Sequence, residues 1–457
     1  MLNSLLLAGV AIFCILIGVL ITLLIWNKPS TVIYIQILYC FFVRFLTIQI
    51  GIPSAIKYIF DYLTIILLLQ IILHSNKTYN INIRKPLIFM ALFAAVAIIS
   101  TVYNGSSFVL FFWGIRLNFR FFIFFIACVI FLKRKNLDDI MKLLLIMLPI
   151  NTVLVVYQYA VMGLRFDYLG GLFGTHLASH SEFITYLIIV TLISIILYVE
   201  KKLNIVQLLL DLGMLLFLAA ICEIKVLFII IPMIVVVAAF LSFPNSRALN
   251  LIIACVVLMP LSFSLMLIIY PQWAEQLSNI QDAIFNTTMV QYSSEVSLSR
   301  FTAASYLLTN IIVEPFQKVF GIGFGNADYF LTYTSSFYER YDMLNYNIFR
   351  YSLVLIELGV IGLIVYCLFF VSLTLESIRI RKIVNPEVKY YCNIGFIISL
   401  IVFPLLIYNP SLQMEGAFMV YLLLAFPFIF EKEMYEANLN YGTNETNLKL
   451  SEARNSI

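Results

Sequence analysis

The chain has 457 residues, 63% hydrophobic and 11% charged, with a formal net charge of +4 and a mean hydropathy of +1.01. A water-soluble domain carries about a quarter charged and about half apolar residues, so no aqueous core absorbs this much apolar surface and lipid must be the main solvent. Nothing points to nucleic acid. The seven cysteines, Cys14, Cys40, Cys128, Cys222, Cys255, Cys367 and Cys392, lie in or beside apolar segments without CxxC spacing, which predicts small buried hydrophobes rather than disulfides or a zinc site.

Apolar runs of about 17–25 residues mark spans. Thirteen are predicted, at 5–26, 31–48, 58–74, 86–103, 108–131, 141–162, 183–199, 204–221, 226–243, 248–270, 351–373, 390–408 and 415–430. The first is too long for the apolar part of a signal peptide and is followed by no small-residue cleavage site, so it reads as a span. Lys28, the segments 75–85, 133–139, 200–203, 243–247 and 374–389, and the tail 431–457 hold most of the Lys and Arg residues. The opposite set of loops holds only Lys57, Arg165, Lys225, Arg300, Lys318, Arg340 and Arg350. This asymmetry predicts a cytoplasmic C-terminus and, with thirteen spans, an outer N-terminus. The expected organisation is a membrane domain, 1–430, followed by a polar tail, 431–457, whose Asn- and Glu-rich composition reads as disordered.

Two outer loops are long. Residues 271–350 contain two helix-like stretches, Trp273–Phe285 and Leu298–Val313. The second sets Phe301, Ala304, Leu307, Leu308 and Ile311 on one face. The smaller loop, 163–182, reads GLRFDYLGGLFGTHLASHSE. The inner loops are short, so the work of the protein is expected at its outer face. The fold class that follows is an all-α polytopic membrane protein of about 12–13 transmembrane helices, with one large outer loop carrying short amphipathic helices.

Arg44, Arg116, Arg120 and Lys142 lie in or at the edges of apolar spans, where a cation at mid-helix costs at least about 2.5–3.5 kcal/mol. Arg116 and Arg120 are four apart in WGIRLNFRFF and share a helical face. They either snorkel to the outer headgroups or line a cavity that holds an anion; two like charges on one face favour an anion between them. Glu223 and Lys225 form either a charged turn or the mouth of the same cavity. His176 and His180, four apart and near Glu182, read as loop histidines, a general base or, on a weaker pattern lacking a third firm ligand, a metal pair. Gly321, Gly323 and Gly325 alternate in GIGFG. No strand precedes them, which excludes a dinucleotide fingerprint; the pattern suits a sharp turn and close approach of a bulky ligand.

An Arg opening an amphipathic outer helix, SRFTAASYLLTN, is followed by Pro315 and GIGFG. Further on, YNIFRYSLVLIELGVIGLIVY leads into a span. In this order the chain resembles the Wzy-type O-antigen polymerase and ligase superfamily, bacterial membrane glycosyltransferases. GIRLNFRFF, GGLFGTHLAS, EIK and a late outer NPS agree with that layout. The resemblance implies a metal-independent C-type glycosyltransferase with no cofactor in the bacterial inner membrane, acting on its periplasmic side. Donor and acceptor would both be undecaprenyl-diphosphate-linked oligosaccharides, with the bilayer and a chain-length regulator as partners, in O-antigen, capsule or exopolysaccharide synthesis. Arg300 matches the outer-loop arginine that contacts lipid diphosphate, and Arg165 matches the arginine of the smaller loop. The ligase branch carries His-Asn before its LxxLxExG-like span; here Asn345-Tyr346-Asn347 stands instead, favouring the polymerase. Arg300, Arg116 and Asp342 would be catalytic. Arg120, Arg165, Lys225, His176, Gly323, Gly325 and Asn347 would bind substrate, and the base would come from Asp342, Glu339, Glu182, His176 or His180. Trp273, Tyr329, Tyr333, Tyr338 and Tyr341 would stack on sugars or anchor at the headgroups.

The competing classes are an O-antigen ligase, a lipid-linked oligosaccharide flippase, a metal-dependent mannosyl- or oligosaccharyltransferase, and a solute transporter or channel. A flippase would show two related halves and short loops. A metal-dependent transferase would carry paired acids in its first outer loop, where Gln49–Lys57 has none. A transporter would spread polar residues along a whole pore.

Overall fold

The computed structural model describes residues 25–74, 83–242, 246–271, 289–292, 295–330 and 332–455. The first expected span and the stretch Trp273–Phe285 lie outside the described residues. The other twelve expected spans are all helical: α1 (Pro29–Ile48), α2 (Ile59–Leu73), α3 (Arg84–Tyr103), α4 (Phe108–Phe131), α5 (Arg134–Ala160), α6 (Leu177–Val199), α7 (Ile205–Ile221), α8 (Leu227–Ser242), α9 (Ser246–Ile269), α13 (Arg350–Ile383), α14 (Lys389–Tyr408) and α15 (Ala417–Asn455). Among the described residues nine helices are long and apolar enough to cross a bilayer; α7 and α8 are shorter apolar helices. The chain is an all-α polytopic membrane protein.

Between α9 and α13 the outer segment holds a small hairpin, β1 (Met289–Tyr292) and β2 (Glu295–Leu298), paired antiparallel with Met289 opposite Leu298. The short helices α10 (Ala303–Tyr306), α11 (Pro315–Phe320) and α12 (Ser336–Tyr341) follow. The expected helix at Leu298–Val313 is thus partly strand and partly helix: α10 runs into a π-turn over Leu307–Ile311. Ala303 and Leu307 face inward while Phe301 stays exposed.

α6 lies at the centre, packed by α5, α7, α8, α14 and α15, and its span Ser179–Val199 is wholly buried. α9 is the opposite case. Leu261, Ile268, Val256 and Val257 are exposed along it, as lipid-facing side chains must be. Four of the seven cysteines, Cys40, Cys128, Cys222 and Cys392, are buried as expected.

Helix ends gather on two faces. On one, Gln49 bonds Thr175 (2.8 Å), Asn104 bonds the Gly321 carbonyl (3.0 Å) and Tyr270 donates to the Ile221 carbonyl (2.6 Å). On the other, Ser30 donates to the Phe131 carbonyl (3.0 Å), Arg247 to that of Leu203 (3.1 Å) and Arg381 to that of Leu241 (2.7 Å). The Lys/Arg-rich loops therefore share one face and the long polar loops the other. The tail read as disordered is helical through Asn455, because α15 simply continues into residues such as Glu, Lys, Ala and Leu, which favour helix.

α13 is broken near its outer end. Gly359 has φ 65° and ψ −168°, and the break frees the carbonyls before it. Ile322 N–H takes the Ile356 carbonyl (3.0 Å) and the Ser100 hydroxyl takes that of Glu357 (2.8 Å), so these two backbone acceptors are satisfied within the protein. The donor, Ile322, lies in the GIGFG loop. Gly323 and Phe324 N–H groups bond the Ser100 and Thr101 hydroxyls of α3, and the Glu357 carboxylate accepts from the Gly325 and Ala327 N–H groups.

The glycines are therefore explained by protein packing rather than by a ligand. A Cβ at Gly321 would strike the backbone at Glu357, one at Gly323 the Ser106 hydroxyl, and one at Gly325 the Leu110 carbonyl. Gly323 and Gly325 leave the list of substrate-binding residues on that ground. Gly325→Ala is expected to cost at least about 1–2 kcal/mol from positive φ alone, before the collision is counted. Gly213→Ala, inside α7 and with nothing within 4 Å of its Cβ, is the clash-free control and is expected to stabilise by up to about 1 kcal/mol; thermal unfolding in detergent compares the two.

Candidate functional site

Three segments far apart in sequence, on the face that carries the long polar loops, enclose a cavity of 430 Å³, within the size range of small-molecule sites. The loop before α6 supplies Asp167 and His176, and the first turn of α6 supplies His180. The segment between α9 and α13 supplies Arg300, Asp328, Asn345 and Asn347, the last residue of α14 supplies Tyr408, and the α14–α15 connection supplies Asn409 and Gln413. Ile184, Leu353 and Met414 add apolar wall.

Arg300 is clamped against aromatic rings. Its guanidinium lies 4.4 Å from the Tyr408 ring centroid and 5.7 Å from that of Phe349, while its carbonyl accepts from the Tyr351 hydroxyl (2.6 Å). A stacked guanidinium keeps its N–H donors in its own plane, where they can meet an anion edge-on. Lys225, paired with Glu223 at 3.2 Å, is close enough for Arg300 and Asp167 to act on it electrostatically. Burial is the larger influence and pushes the Lys225 ammonium below its ordinary range, opposed by Glu223 and Asp167 and reinforced by Arg300.

His180 and Asp167 form a pair. His180 Nε2 is 3.3 Å from Asp167 Oδ1, and Nδ1 is 3.2 Å from the Leu169 carbonyl. The Asp167 side chain is 35% exposed and that of His180 only 7%, so the carboxylate meets the cavity and the imidazole backs it. Glu182 does not join them; it turns to Arg44 inside the helix bundle.

Asp328 is a second cavity carboxylate, accepting from Trp113 Nε1 (3.3 Å) and the Tyr329 N–H (2.8 Å). Burial pushes its carboxyl above the ordinary 3.8, against those two bonds and nearby Arg116 and with a smaller push from Asp342. A raised folded value stabilises fully below pH 3.8, and the contribution is lost as pH rises through the raised value. Asp328→Asn, which cannot ionise, is therefore expected to melt higher than the parent at neutral pH, with the gain vanishing below pH 3.8; unfolding scans across pH check this.

Comparison with protein-family models and with curated proteins finds no match for this chain.

The anion inferred between Arg116 and Arg120 exists, and it belongs to the chain. Asp61 of α2 lies 2.7 Å from Arg116 Nη2 and 3.8 Å from Arg120 Nη1. Glu415 then lies 3.6 Å from Arg120 and 3.4 Å from Arg44, which also pairs with Glu182. Arg116–Asp61–Arg120–Glu415–Arg44–Glu182 is one alternating network across α1, α2, α4, α6 and the α14–α15 connection. It contains three arginines and three carboxylates. Arg116 is further stacked between Trp113 (4.3 Å) and Tyr58 (4.9 Å). Neither arginine lines the cavity, so the expected diphosphate clamp by Arg116 and Arg120 is replaced by internal charge balance.

Of the remaining expected residues, His176, Asn347 and Arg300 share the cavity. Arg165 does not: it stacks 3.8 Å over Tyr159 and donates to the Tyr159 and Leu164 carbonyls, both at 2.8 Å. Asp342 bonds the Tyr338 hydroxyl and is not among the lining residues. Tyr329 and Tyr338 pack on each other at 5.3 Å.

Asp61, Asp167, Asp328, Arg350, Gln413 and Glu415 were not singled out by sequence as site residues. Gln413 joins the cavity to the network: its carbonyl accepts from Arg120 (3.0 Å) and its side chain from buried Arg350 (2.6 Å). Arg350 also bonds Asn118. The signal available for the acids was the one used for the cations, an ionisable residue in or next to an apolar segment.

Proposed function

We propose that the chain polymerises undecaprenyl-diphosphate-linked oligosaccharide repeats at the outer face of a bacterial inner membrane, transferring the growing glycan to the next lipid-linked repeat. The observation that carries this reading is a cavity at one end of the helix bundle combining a stacked arginine, Arg300, with a carboxylate–imidazole pair, Asp167–His180. The resemblance set out above supports it, and the absence of His at Asn345-Tyr346-Asn347 favours polymerase over ligase. A cavity confined to one face supports an enzyme over a carrier.

The acceptor hydroxyl oxygen attacks the anomeric carbon of the donor. The bond from that carbon to the phosphate oxygen breaks, and the electron pair leaves with the lipid diphosphate. Arg300 offsets the negative charge that builds on the departing oxygen through charge-assisted hydrogen bonds. Asp167 takes the hydroxyl proton and shares it with His180 behind it. Asn345, Asn347, Asn409 and Gln413 offer neutral donors and acceptors for sugar hydroxyls.

Purified protein in nanodiscs, given a lipid-diphosphate-linked repeat, tests this directly by the appearance of multi-repeat products. Asp167→Asn is expected to slow their formation by about 10²–10⁴-fold while the substrate still binds. No product from the parent protein, or unchanged turnover in the variant, removes the reading.

A further inference from the structure

We infer that a second cavity on the same face is a subsite for neutral saccharide, holding glycan that extends beyond the reacting sugar. This rests on the polymerase reading for its purpose, though not for its chemistry.

The cavity measures 570 Å³ and lies between α12 and the start of the GIGFG loop. One wall is made of amides fixed by the protein. Gln317 Nε2 donates to Asn104 Oδ1 (2.9 Å), and Asn104 Nδ2 donates to the Gly321 and Ser100 carbonyls (3.0 and 2.7 Å). Asn326 Nδ2 is held by the Ser106 hydroxyl (2.7 Å) and the Ile322 carbonyl (2.9 Å). Because carbonyls only accept, these bonds fix which end of Asn104 and of Asn326 carries nitrogen. The opposite wall brings exposed Ser336 and two aromatic rings, Phe337 and Tyr341, packed on each other at 5.0 Å.

Among the described residues the charges lining it are Glu339 and Arg340, opposite in sign and next to each other in sequence. Glu339 is bonded to Thr334, and the Arg340 guanidinium lies 5.9 Å from the Tyr341 ring. No net field selects an anion or a cation. Neutral amides, a hydroxyl and aromatic faces together match a polyhydroxy ligand: amides bond hydroxyls and rings cover the C–H faces of a pyranose.

Its place suits a chain of sugars. Asn326 lines this cavity and Asp328, two residues on, lines the first. Tyr346 pins the dividing segment, donating to the Ala327 carbonyl (2.9 Å) and packing on Phe337 at 5.7 Å. A glycan leaving the Arg300 cavity over this divide enters the second one.

The test is photo-crosslinking of the full chain in nanodiscs with diazirine-bearing tetrasaccharides, a neutral hexose/N-acetylhexosamine probe against a uronic-acid probe, mapped by mass spectrometry. The neutral probe is expected to label peptides containing Gln317 and Ser336–Tyr341. Ser336→Trp, which fills the mouth from an exposed position, and Gln317→Ala are each expected to cut that labelling about fivefold or more, the size of one lost hydrogen bond or ring contact. Arg300→Ala is expected to leave it intact. Absent labelling, labelling unchanged in both second-cavity variants, or stronger labelling by the acidic probe overturns the subsite. Normal polymer from Arg300→Ala would instead defeat the polymerase mechanism, and the labelling result would stand on its own.

Discussion

Arg300→Ala is expected to reduce the glycan ladder of producing cells to a single repeat, while the protein still inserts and folds. The side chain reaches the cavity from a loop and meets the spans only at their ends, through Tyr408 at the end of α14. Removing one preorganised donor from a developing oxyanion costs about 2.7–4 kcal/mol, or 10²–10³ in rate. Arg300→Lys is expected to fall between, since the charge remains while the planar fork and the stacking on Tyr408 are lost. Ladder gels, together with the amount of membrane-extracted protein, measure both quantities. A long normal ladder from the alanine variant would end the leaving-group role of Arg300. A ladder of one repeat also separates polymerase from flippase, because a flippase defect leaves no repeat at the surface.

Arg120→Ala is expected to act in a different way, through loss of the folded protein. Its guanidinium lies between Asp61 and Glu415 and is almost wholly buried. Breaking one member of a buried ion pair costs about 3–5 kcal/mol, because the partner charge is left uncompensated. With three arginines facing three carboxylates, the single substitution leaves a net negative charge in the bundle. Arg120→Met combined with Glu415→Leu restores neutrality and is expected to recover part of the loss. Thermal unfolding of detergent-solubilised protein across this double-mutant cycle gives the coupling. Equal unfolding of Arg120→Ala and the parent would show that the network carries no stability.

The spans were legible because lipid enforces a minimum run of apolar residues: twelve of those expected are helices, eight of them within a few residues of their predicted ends, while α5, α6, α13 and α15 run six or more residues longer at one end. α13 was underestimated, 351–373 against Arg350–Ile383. Its inner turns carry Glu376, Arg379 and Arg381 beyond the apolar stretch, where composition no longer marks a span but the helix continues until Val384 and Pro386. GIGFG was recognised as unusual, yet alternation alone cannot distinguish a ligand pressing on the backbone from another segment of the same chain. The candidate site was half legible. Arg300, His176 and Asn347 were found through outer-loop position and resemblance. Of the partners that give the cavity its chemistry, Tyr408 comes to Arg300 from more than a hundred residues away, and Asp167 meets His180 only through the fold of the short stretch between them. Arg116 and Arg120 read as an anion site because their counter-ion, Asp61, lies more than fifty residues away in a stretch as apolar as theirs.

α6 is enclosed by other helices from end to end, and this bears on biogenesis. A segment released sideways into lipid as it is synthesised meets acyl chains first, and Glu182, in the second turn of α6, would be an unpaired acid in that setting, at a cost that rises toward about 2.5–3.5 kcal/mol at mid-bilayer. Arg44 has by then already entered with α1, so the counter-ion waits in place for the acid. Glu415, the other carboxylate that Arg44 meets, is made more than two hundred residues later. The order of synthesis thus lets charges be neutralised in turn, and swapping Arg44 with Glu182 would reverse which of them must wait alone.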